Sequence, residues 1–194
     1  MTHDTIVALS VLGVIGQVLI ALGIVVGLLA LAGVRGPLDG LRNLLWGYEL
    51  WGAFVVAAIA TGGSLFYSQI AGFIPCEFCW FQRLLMYPLS ILTLLIAARG
   101  DNRAARYLLP LPIVGAGTSI WHMLIEYGVI GESHSCLVSA PGGCGTNWIA
   151  NDGFGYLTIP TLALTAFLLL IGFLVLASAG EAEVPATLPA HAER

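Results

Sequence analysis

The chain has 194 residues, of which 58% are hydrophobic and only 9% are charged. Because a soluble domain contains about 25% charged residues, this composition excludes a water-soluble globular protein and indicates a membrane protein with several spans. The net charge of -4 is small and is not gathered into patches, which argues against nucleic acid as a partner.

Five stretches are long and apolar enough to cross a bilayer, which requires roughly 20 residues. They cover residues 6–34, 48–71, 80–98, 107–130 and 157–178. We therefore predict an all-α transmembrane fold with five spans. Glycines recur at helical intervals in the long first span, which indicates either a close-packing face or the ordinary glycine content of membrane helices. These glycines are Gly13, Gly16, Gly23 and Gly27.

The positions of the arginines predict how the spans are oriented. Arg35 and Arg42 lie between the first two spans, and Arg99, Arg103 and Arg106 lie between the third and the fourth. Loops rich in basic residues stay in the cytoplasm, so the N-terminus is predicted outside, the C-terminus inside and all four cysteines outside. The first stretch has no basic residues before it, so we interpret it as a retained helix rather than a cleaved signal peptide. The tail, residues 179–194, is rich in Ala, Glu and Pro and is predicted to be disordered and cytoplasmic.

A pair of cysteines, Cys76 and Cys79, immediately precedes the third span. Pro75 suits a helix start, so Cys76 is predicted near a helix N-terminus, where a thiolate is favoured. A disulfide that closes so short a loop stabilises little, so we expect this pair to serve redox chemistry. Arg83 lies one turn beyond Cys79 on the same helix face, and its charge favours a thiolate at Cys79. The alternative is that Arg83 merely extends toward the outer headgroups.

The second cysteine pair, Cys136 and Cys144, lies in the longest outer loop, which contains Pro141-Gly142-Gly143. This composition predicts a mobile segment that could move between a soluble partner and the first cysteine pair. An even number of cysteines on an oxidising face fits two disulfides, but spacing alone leaves the pairing open. A plain structural brace is the alternative for Cys136 and Cys144. A zinc site is disfavoured because this pair is too widely spaced, and we predict no metal.

Four groups of residues resemble the disulfide bond formation protein B family, and most closely its Gram-positive-type branch. They are Pro75-Cys76-Glu77-Phe78-Cys79-Trp80-Phe81-Gln82-Arg83 with Met86-Tyr87-Pro88, Ile120-Trp121-His122, the Cys136 and Cys144 pair, and Gly155-Tyr156-Leu157-Thr158-Ile159-Pro160. Members of this family are membrane quinone reductases that reoxidise an extracytoplasmic thioredoxin-like (DsbA-like) thiol oxidase. The resemblance implies a four-helix bundle over residues 48–178 in a bacterial plasma membrane. Residues 1–47, an additional helix and a cytoplasmic loop, lie outside it.

The resemblance also implies a role for each cysteine. Cys79 would contact a quinone, either ubiquinone or menaquinone, and Arg83 would hold the quinone carbonyl. Cys76 would exchange with Cys144, and Cys136 would form the mixed disulfide with the partner oxidase. Two electrons would then pass from the partner dithiol to the membrane quinone pool, which supports disulfide bond formation.

His122 and Glu126 are four residues apart and therefore share one face near the outer end of the fourth span. Because quinone reduction consumes protons, we hypothesise that they line the quinone pocket and relay protons. The alternative is a hydrogen-bonded pair between helices. The family often carries glutamine where this chain has Glu126, which is a departure from its pattern.

Two other functions compete with the quinone-coupled thiol oxidase. A reductase that resembles the vitamin K epoxide reductase family is disfavoured, because those proteins place their loop cysteines before the membrane-edge cysteine pair. A transporter subunit or scaffold with structural disulfides is the non-enzymatic alternative.

Overall fold

The computed structural model describes residues 2–149 and 154–181, and within these residues it contains helices and no strand. Five of the helical segments are long and apolar enough to cross a membrane, which confirms the predicted all-α transmembrane fold class. The helices are α1 (Thr2–Leu31), α2 (Gly36–Leu45), α3 (Glu49–Gln69), α4 (Glu77–Arg99), α5 (Ala105–Leu108), α6 (Pro110–Glu126), α7 (His134–Ser139) and α8 (Ile159–Glu181). A 3-10 turn, Asn102–Ala104, leads into α5, and this turn, α5 and α6 together form one candidate span.

The five predicted spans correspond to α1, α3, α4, the segment from the 3-10 turn through α6, and α8, with ends that differ by a few residues. Two short helices outside the spans, α2 and α7, were not predicted, because hydropathy identifies only elements long enough to cross a bilayer. Residues 179–181 continue α8, so the predicted disordered tail begins too early. The rest of that tail lies outside the described residues. The orientation of the spans relative to the membrane stays a prediction.

Helices α3, α4, α6 and α8 form a four-helix bundle in which α3 and α6 each pack against both α4 and α8. Its centre is filled by fully buried side chains, among them Leu89, Phe167 and Leu170. The ring of Phe167 lies against Gly115, where an added Cβ atom would overlap it. A small residue at this position therefore lets α6 and α8 approach closely, as is common between membrane helices.

Helix α1 packs against α8 on the outside of this bundle. The buried residues of α1 are Ile6, Ser10, Gly13 and Gly16, and their spacing of three to four residues places them on one face. Gly13 lies against Leu162, and a Cβ atom at Gly16 would lie 2.9 Å from Thr165 Cγ2. Two of the four glycines in the predicted packing face therefore serve close packing. A Cβ atom added at Gly23 or Gly27 would lie within 4 Å of no side chain or neighbouring helix among the described residues.

Candidate redox site

The first cysteine pair lies at the start of α4. Cys76 is the N-cap residue, and its Sγ atom accepts a hydrogen bond from the backbone N–H of Cys79 at 3.4 Å. The two sulfur atoms lie 3.0 Å apart, and both cysteines are free thiols. Cys76 is 5% exposed and Cys79 is half-buried. The predicted position of Cys76 at a helix N-terminus is therefore confirmed.

Two neighbouring groups favour a thiolate at Cys76. The Cys79 thiol donates to the Cys76 sulfur, and the imidazole of His122 adds a second hydrogen bond with Nε2 3.5 Å from Sγ. Together they hold the pKa of the Cys76 thiol below its usual range, although burial opposes this shift. A lowered pKa increases the fraction of the reactive thiolate at neutral pH.

The second pair is joined as a disulfide between Cys136 and Cys144, with their Cα atoms 5.2 Å apart. Cys136 lies in α7, which begins where Ser133 accepts a hydrogen bond from the Cys136 N–H at 3.2 Å. The two cysteines are only 0% and 3% exposed. The disulfide is therefore buried, and a partner could reach it only after a local rearrangement of the loop.

All four cysteines belong to one small apolar cluster at the end of the bundle. Cys76, Cys136 and Cys144 are buried in it together with Ile125, and Cys79 packs against it. The sequence placed the two pairs on the same side of the membrane, and the structure brings them into direct proximity. Membership of one cluster is the arrangement that thiol exchange between the two pairs requires.

The segment that carries Cys144 is held by polar contacts within its own loop that the sequence did not reveal. The carboxylate of Glu132 accepts hydrogen bonds from the N–H groups of Cys144 and Gly145, at 3.2 and 2.9 Å. It occupies the space where Gly143 and Gly145 would carry a Cβ atom, so the glycines form a cradle for it. Glycine in this segment therefore serves a close contact, whereas we had interpreted it as a sign of mobility.

A second attachment joins α7 to the start of α4. Ser139 Oγ accepts a hydrogen bond from the Glu77 N–H at 3.2 Å and donates one to the Cys136 carbonyl at 3.0 Å. It thereby links the backbone of Cys136 to the first turn of α4. No sequence signal identified Ser139 or Glu132, because both contacts depend on the folded path of the loop.

His122 lies between the two cysteine pairs. Its Nε2 atom is 3.1 Å from the carbonyl oxygen of Cys144 and 3.5 Å from the Cys76 sulfur, and its ring stacks on Phe78. Its Nδ1 atom and both carboxylate oxygens of Glu126 are buried and have no hydrogen-bond partner among the described residues. These two side chains, one turn apart on α6, are therefore available to bind a proton or a water molecule.

Arg83 points into the bundle toward α3. Its Nε atom donates to Ser64 Oγ at 2.9 Å, and an Nη atom donates to the Ser64 carbonyl at 3.0 Å. The guanidinium also lies 5.2 Å from the centre of the Trp80 ring. This geometry argues against the alternative that Arg83 merely extends toward the headgroups, because its donors are directed at a neighbouring helix.

A cavity of about 290 Å³ lies beside Cys79 and Arg83. Side chains of α1, α3, α4 and α8 line it, and they are mostly apolar. Tyr67 is 6% exposed and lines the same cavity, and its hydroxyl has no hydrogen-bond partner among the described residues. His122 and Glu126 are not part of this lining, so their contact with quinone stays a prediction, which this geometry does not support.

Three atoms that could bind a metal lie within 4.8 Å of one another, on Cys76, Cys79 and His122. A structural zinc site needs four protein ligands. The other two cysteines of the cluster are joined to each other and cannot act as thiolate ligands in this state. The expectation of no metal stays a prediction.

The fold and the site define a multi-pass membrane protein that carries a pair of free thiols next to a disulfide. Residues 48–179 match the sequence model of the family described as disulfide bond formation protein DsbB. The chain belongs to this family, and its role is therefore that of a thiol oxidoreductase in disulfide formation. The family resemblance inferred from the cysteine motifs is confirmed.

Curated relatives agree with this assignment. The chain is 45% identical over 136 residues to disulfide bond formation protein C of Bacillus subtilis, and the match covers 69% of this chain and 95% of the relative. It is 39% identical over 131 residues to a probable disulfide formation protein of Deinococcus radiodurans, which covers 65% of this chain and 86% of the relative. These relatives support the Gram-positive type of the family. No solved structure matches the chain.

Proposed function

We propose that the protein oxidises the dithiol of an extracytoplasmic thioredoxin-like (DsbA-like) oxidase and passes the two electrons to a membrane quinone. One observation carries this proposal. All four cysteines share a single cluster, and Cys79 at its edge also lines an apolar cavity with Arg83. The cluster offers a route for electrons from the loop disulfide to the cavity.

The first step is exchange at the loop disulfide. A partner thiolate attacks Cys136, and the Cys136–Cys144 bond breaks as a mixed disulfide forms. Cys144 leaves as a thiolate. Because Cys136 is fully buried, we expect α7 to move away from the cluster before the partner can reach this sulfur. The hydrogen bond between the Glu77 N–H and Ser139, which joins α7 to α4, must then break.

The second step passes the electrons to the first cysteine pair. Cys144 attacks Cys76 of an oxidised Cys76–Cys79 pair, and Cys79 leaves as a thiolate. The second partner thiolate attacks the sulfur that is bonded to Cys136, which releases the partner as a disulfide. Cys136 then attacks Cys144, which restores the loop disulfide and releases Cys76 as a thiolate. The balance is one partner dithiol oxidised and the Cys76–Cys79 disulfide reduced, with two electrons and two protons transferred.

The arrangement in the structure matches the product of this exchange, because the loop pair is a disulfide and Cys76 and Cys79 are free thiols. His122 supports the exchange through its position. Its Nε2–H donates to the Cys144 carbonyl, since a carbonyl oxygen only accepts, and the same ring stabilises negative charge on the Cys76 sulfur. One imidazole thus orients both ends of the exchange.

The residues around the cavity fit a quinone, either ubiquinone or menaquinone. The lining is apolar apart from a few groups, and the unpartnered hydroxyl of Tyr67 is a free donor for a carbonyl oxygen. Arg83 would hold a carbonyl of the ring, and Cys79 is the cysteine on the cavity wall. A bound quinone supplies the chemistry of accepting two electrons and two protons, while the protein supplies position and charge. Oxidation of Cys76 and Cys79 restores their disulfide.

We also propose that residues 48–178 form the catalytic bundle in a bacterial plasma membrane, with the cysteines on the extracytoplasmic face. The arginine distribution supports this orientation.

One observation favours a second candidate function for the Cys136–Cys144 pair alone. Burial of Cys136 and Cys144 is also what a structural brace would show, and a brace would keep its disulfide throughout turnover.

The test uses purified full-length protein, a reduced thioredoxin-like oxidase and a soluble quinone. We expect quinone to be consumed, and Cys79→Ser to abolish this. Thiol alkylation and mass, measured before the oxidase is added, should show the Cys136–Cys144 disulfide intact in the variant. Quinone consumption at the same rate in Cys79→Ser would contradict the proposal. A partner variant that lacks its second thiol separates the two candidates. Its remaining thiolate attacks Cys136, releases Cys144 as a thiolate and cannot leave as a disulfide, so the mixed disulfide accumulates, whereas a brace forms none.

A further inference from the structure

Helix α1 lies outside residues 48–179, the part of the chain that matches the family. We propose that α1 forms one wall of the quinone-binding cavity and shields the bound ring from lipid, so that part of the affinity for quinone resides in this additional helix. This inference rests on the proposed quinone function and deepens it.

The cavity beside Cys79 is bordered by α1 over about three turns. Leu12, Ile15 and Leu19 of α1 line it together with neighbouring small residues. The opposite end of α1 has no such role, because the α1 residues that line the cavity end at Leu19. A Cβ atom added at Gly23 or Gly27 would also meet no neighbouring helix of the described residues within 4 Å. The contribution of α1 is therefore confined to the half that lies next to the redox site.

Close packing fixes this half of α1 in place. Gly13 lies against Leu162 of α8, and Gly16 lies close to Thr165 and Leu169. Glycines at these positions allow the two helix backbones to approach. A larger residue at either glycine would push α1 outward and would open the cavity toward the lipid.

The remaining walls carry the chemistry. Cys79 and Arg83 come from α4, and Ser64 and Tyr67 come from α3. The Tyr67 hydroxyl is buried and lacks a partner among the described residues, which is an arrangement that a ligand with a carbonyl oxygen would satisfy. A quinone has such carbonyl oxygens on a flat ring and a long apolar chain, so it matches both the donors and the apolar wall that α1 provides.

Without α1, the side of the cavity that α1 borders would face lipid directly. With α1 present, a ring beside Cys79 is enclosed on that side. We therefore expect α1 to strengthen quinone binding without affecting thiol exchange, since no residue of α1 belongs to the cysteine cluster.

The test compares two substitutions on α1 in the full-length protein. Ile15 lines the cavity, whereas Val18 does not, and the two side chains are exposed to a similar extent, 50% and 53%. Ile15→Trp should fill the cavity, and Val18→Trp adds the same side chain on the lipid side. Quinone binding is measured by equilibrium dialysis with a short-chain quinone, and by the amount of quinone that copurifies with each mole of protein.

We expect Ile15→Trp to bind the quinone about tenfold more weakly, which corresponds to about 1.4 kcal/mol, and Val18→Trp to match the unsubstituted protein. Leu12→Trp serves as a second cavity variant, and Tyr67→Phe should also weaken binding. An intact Cys136–Cys144 disulfide and unchanged exchange between the thiol pairs in a single turnover confirm that the variants are folded. If Ile15→Trp and Leu12→Trp bind the quinone as tightly as Val18→Trp, then α1 does not form a wall of the quinone-binding cavity.

Failure of this inference is distinguishable from failure of the proposed function. If the unsubstituted protein neither binds nor reduces quinone, the proposed function is wrong and the inference falls with it. If the unsubstituted protein binds quinone and Arg83→Ala weakens binding while the α1 variants do not, then only the role of α1 is wrong.

Discussion

The Nε2 atom of His122 lies 3.5 Å from the Sγ atom of Cys76. These residues are 46 positions apart in the chain, and their contact joins the start of α4 to the C-terminal half of α6. The same nitrogen reaches the backbone of Cys144. A single side chain therefore contacts the thiol that is proposed to receive electrons and the residue that is proposed to deliver them.

The first prediction concerns the titration of Cys76. Hydrogen bonds from Cys79 and His122 lower its pKa, so the reduced protein should keep a thiolate at pH values well below about 8.5, where an ordinary cysteine titrates. The resulting stabilisation of the reduced, folded state is fully present above the ordinary thiol pKa and is lost as the pH falls through the lowered pKa. Thiolate absorbance at 240 nm, measured against pH, gives the titration directly.

His122→Gln sharpens this test, because glutamine can still donate to the Cys144 carbonyl but cannot become a cation. We expect the Cys76 titration to move upward in this variant. His134→Gln is the matched control, since His134 is an exposed residue at the start of α7. Identical titration curves for the two variants would show that His122 does not stabilise the thiolate.

The second prediction concerns the movement of protons. The Nδ1 atom of His122 and the carboxylate of Glu126 are buried without a partner among the described residues and lie one turn apart. A double variant, His122→Ala with Glu126→Gln, should lower quinone turnover by at least about tenfold near neutral pH, as expected for loss of a general acid–base. Glu49→Gln is the control, because Glu49 is also buried but lies at the first turn of α3. If the double variant shows the same quinone turnover as Glu49→Gln at every pH, the proton relay through His122 and Glu126 is ruled out.

The third prediction concerns Arg83. Its guanidinium donates twice to Ser64 and lines the cavity beside Cys79. We expect Arg83→Ala to raise the apparent KM for quinone by about tenfold, the effect of about 1.4 kcal/mol, while the rate of exchange between the cysteine pairs stays the same. Arg99→Ala, at the exposed end of α4, should change neither quantity. An unchanged KM in Arg83→Ala would exclude Arg83 as a quinone contact.

Much of the fold could be predicted because it depends on local composition. A span is visible as a run of apolar residues, and the start of α4 is visible in Pro75 and the cysteine that caps the helix. Spacing also predicted that Arg83 lies one turn beyond Cys79 on the same helix, and both residues line the cavity. Its partner Ser64 could not be predicted, because that contact spans 19 positions and depends on how α3 and α4 pack.

The burial of the loop disulfide could not be predicted from the sequence for the same reason. Glycine and proline around Cys144 suggested mobility, since such residues are typical of flexible loops. In the folded chain Gly143 and Gly145 make room for the carboxylate of Glu132, which lies at least 11 positions earlier. This contact changes our interpretation of the glycines, because they make room for a carboxylate of the same loop and need not indicate mobility.

The last prediction tests this attachment. Glu132 accepts from the N–H groups of Cys144 and Gly145, and hydrogen bonds to a charged group contribute about 1.5–3 kcal/mol each. Glu132→Gln keeps the size of the side chain but removes its charge and one acceptor oxygen. We expect a soluble dithiol to reduce Cys136–Cys144 faster in this variant, because the segment that carries Cys144 is held less firmly by residue 132 and exposes the disulfide more often. Internal exchange with Cys76 should become slower, because Cys144 is held less firmly beside it. Alkylation of the released thiols over time, followed by mass spectrometry, measures both rates.

Asp39→Asn, which alters an exposed carboxylate on α2, is the control and should leave both rates unchanged. If both rates in Glu132→Gln equal those of the control, the carboxylate does not hold the loop, and access of the partner to Cys136 must be limited by the apolar cluster alone.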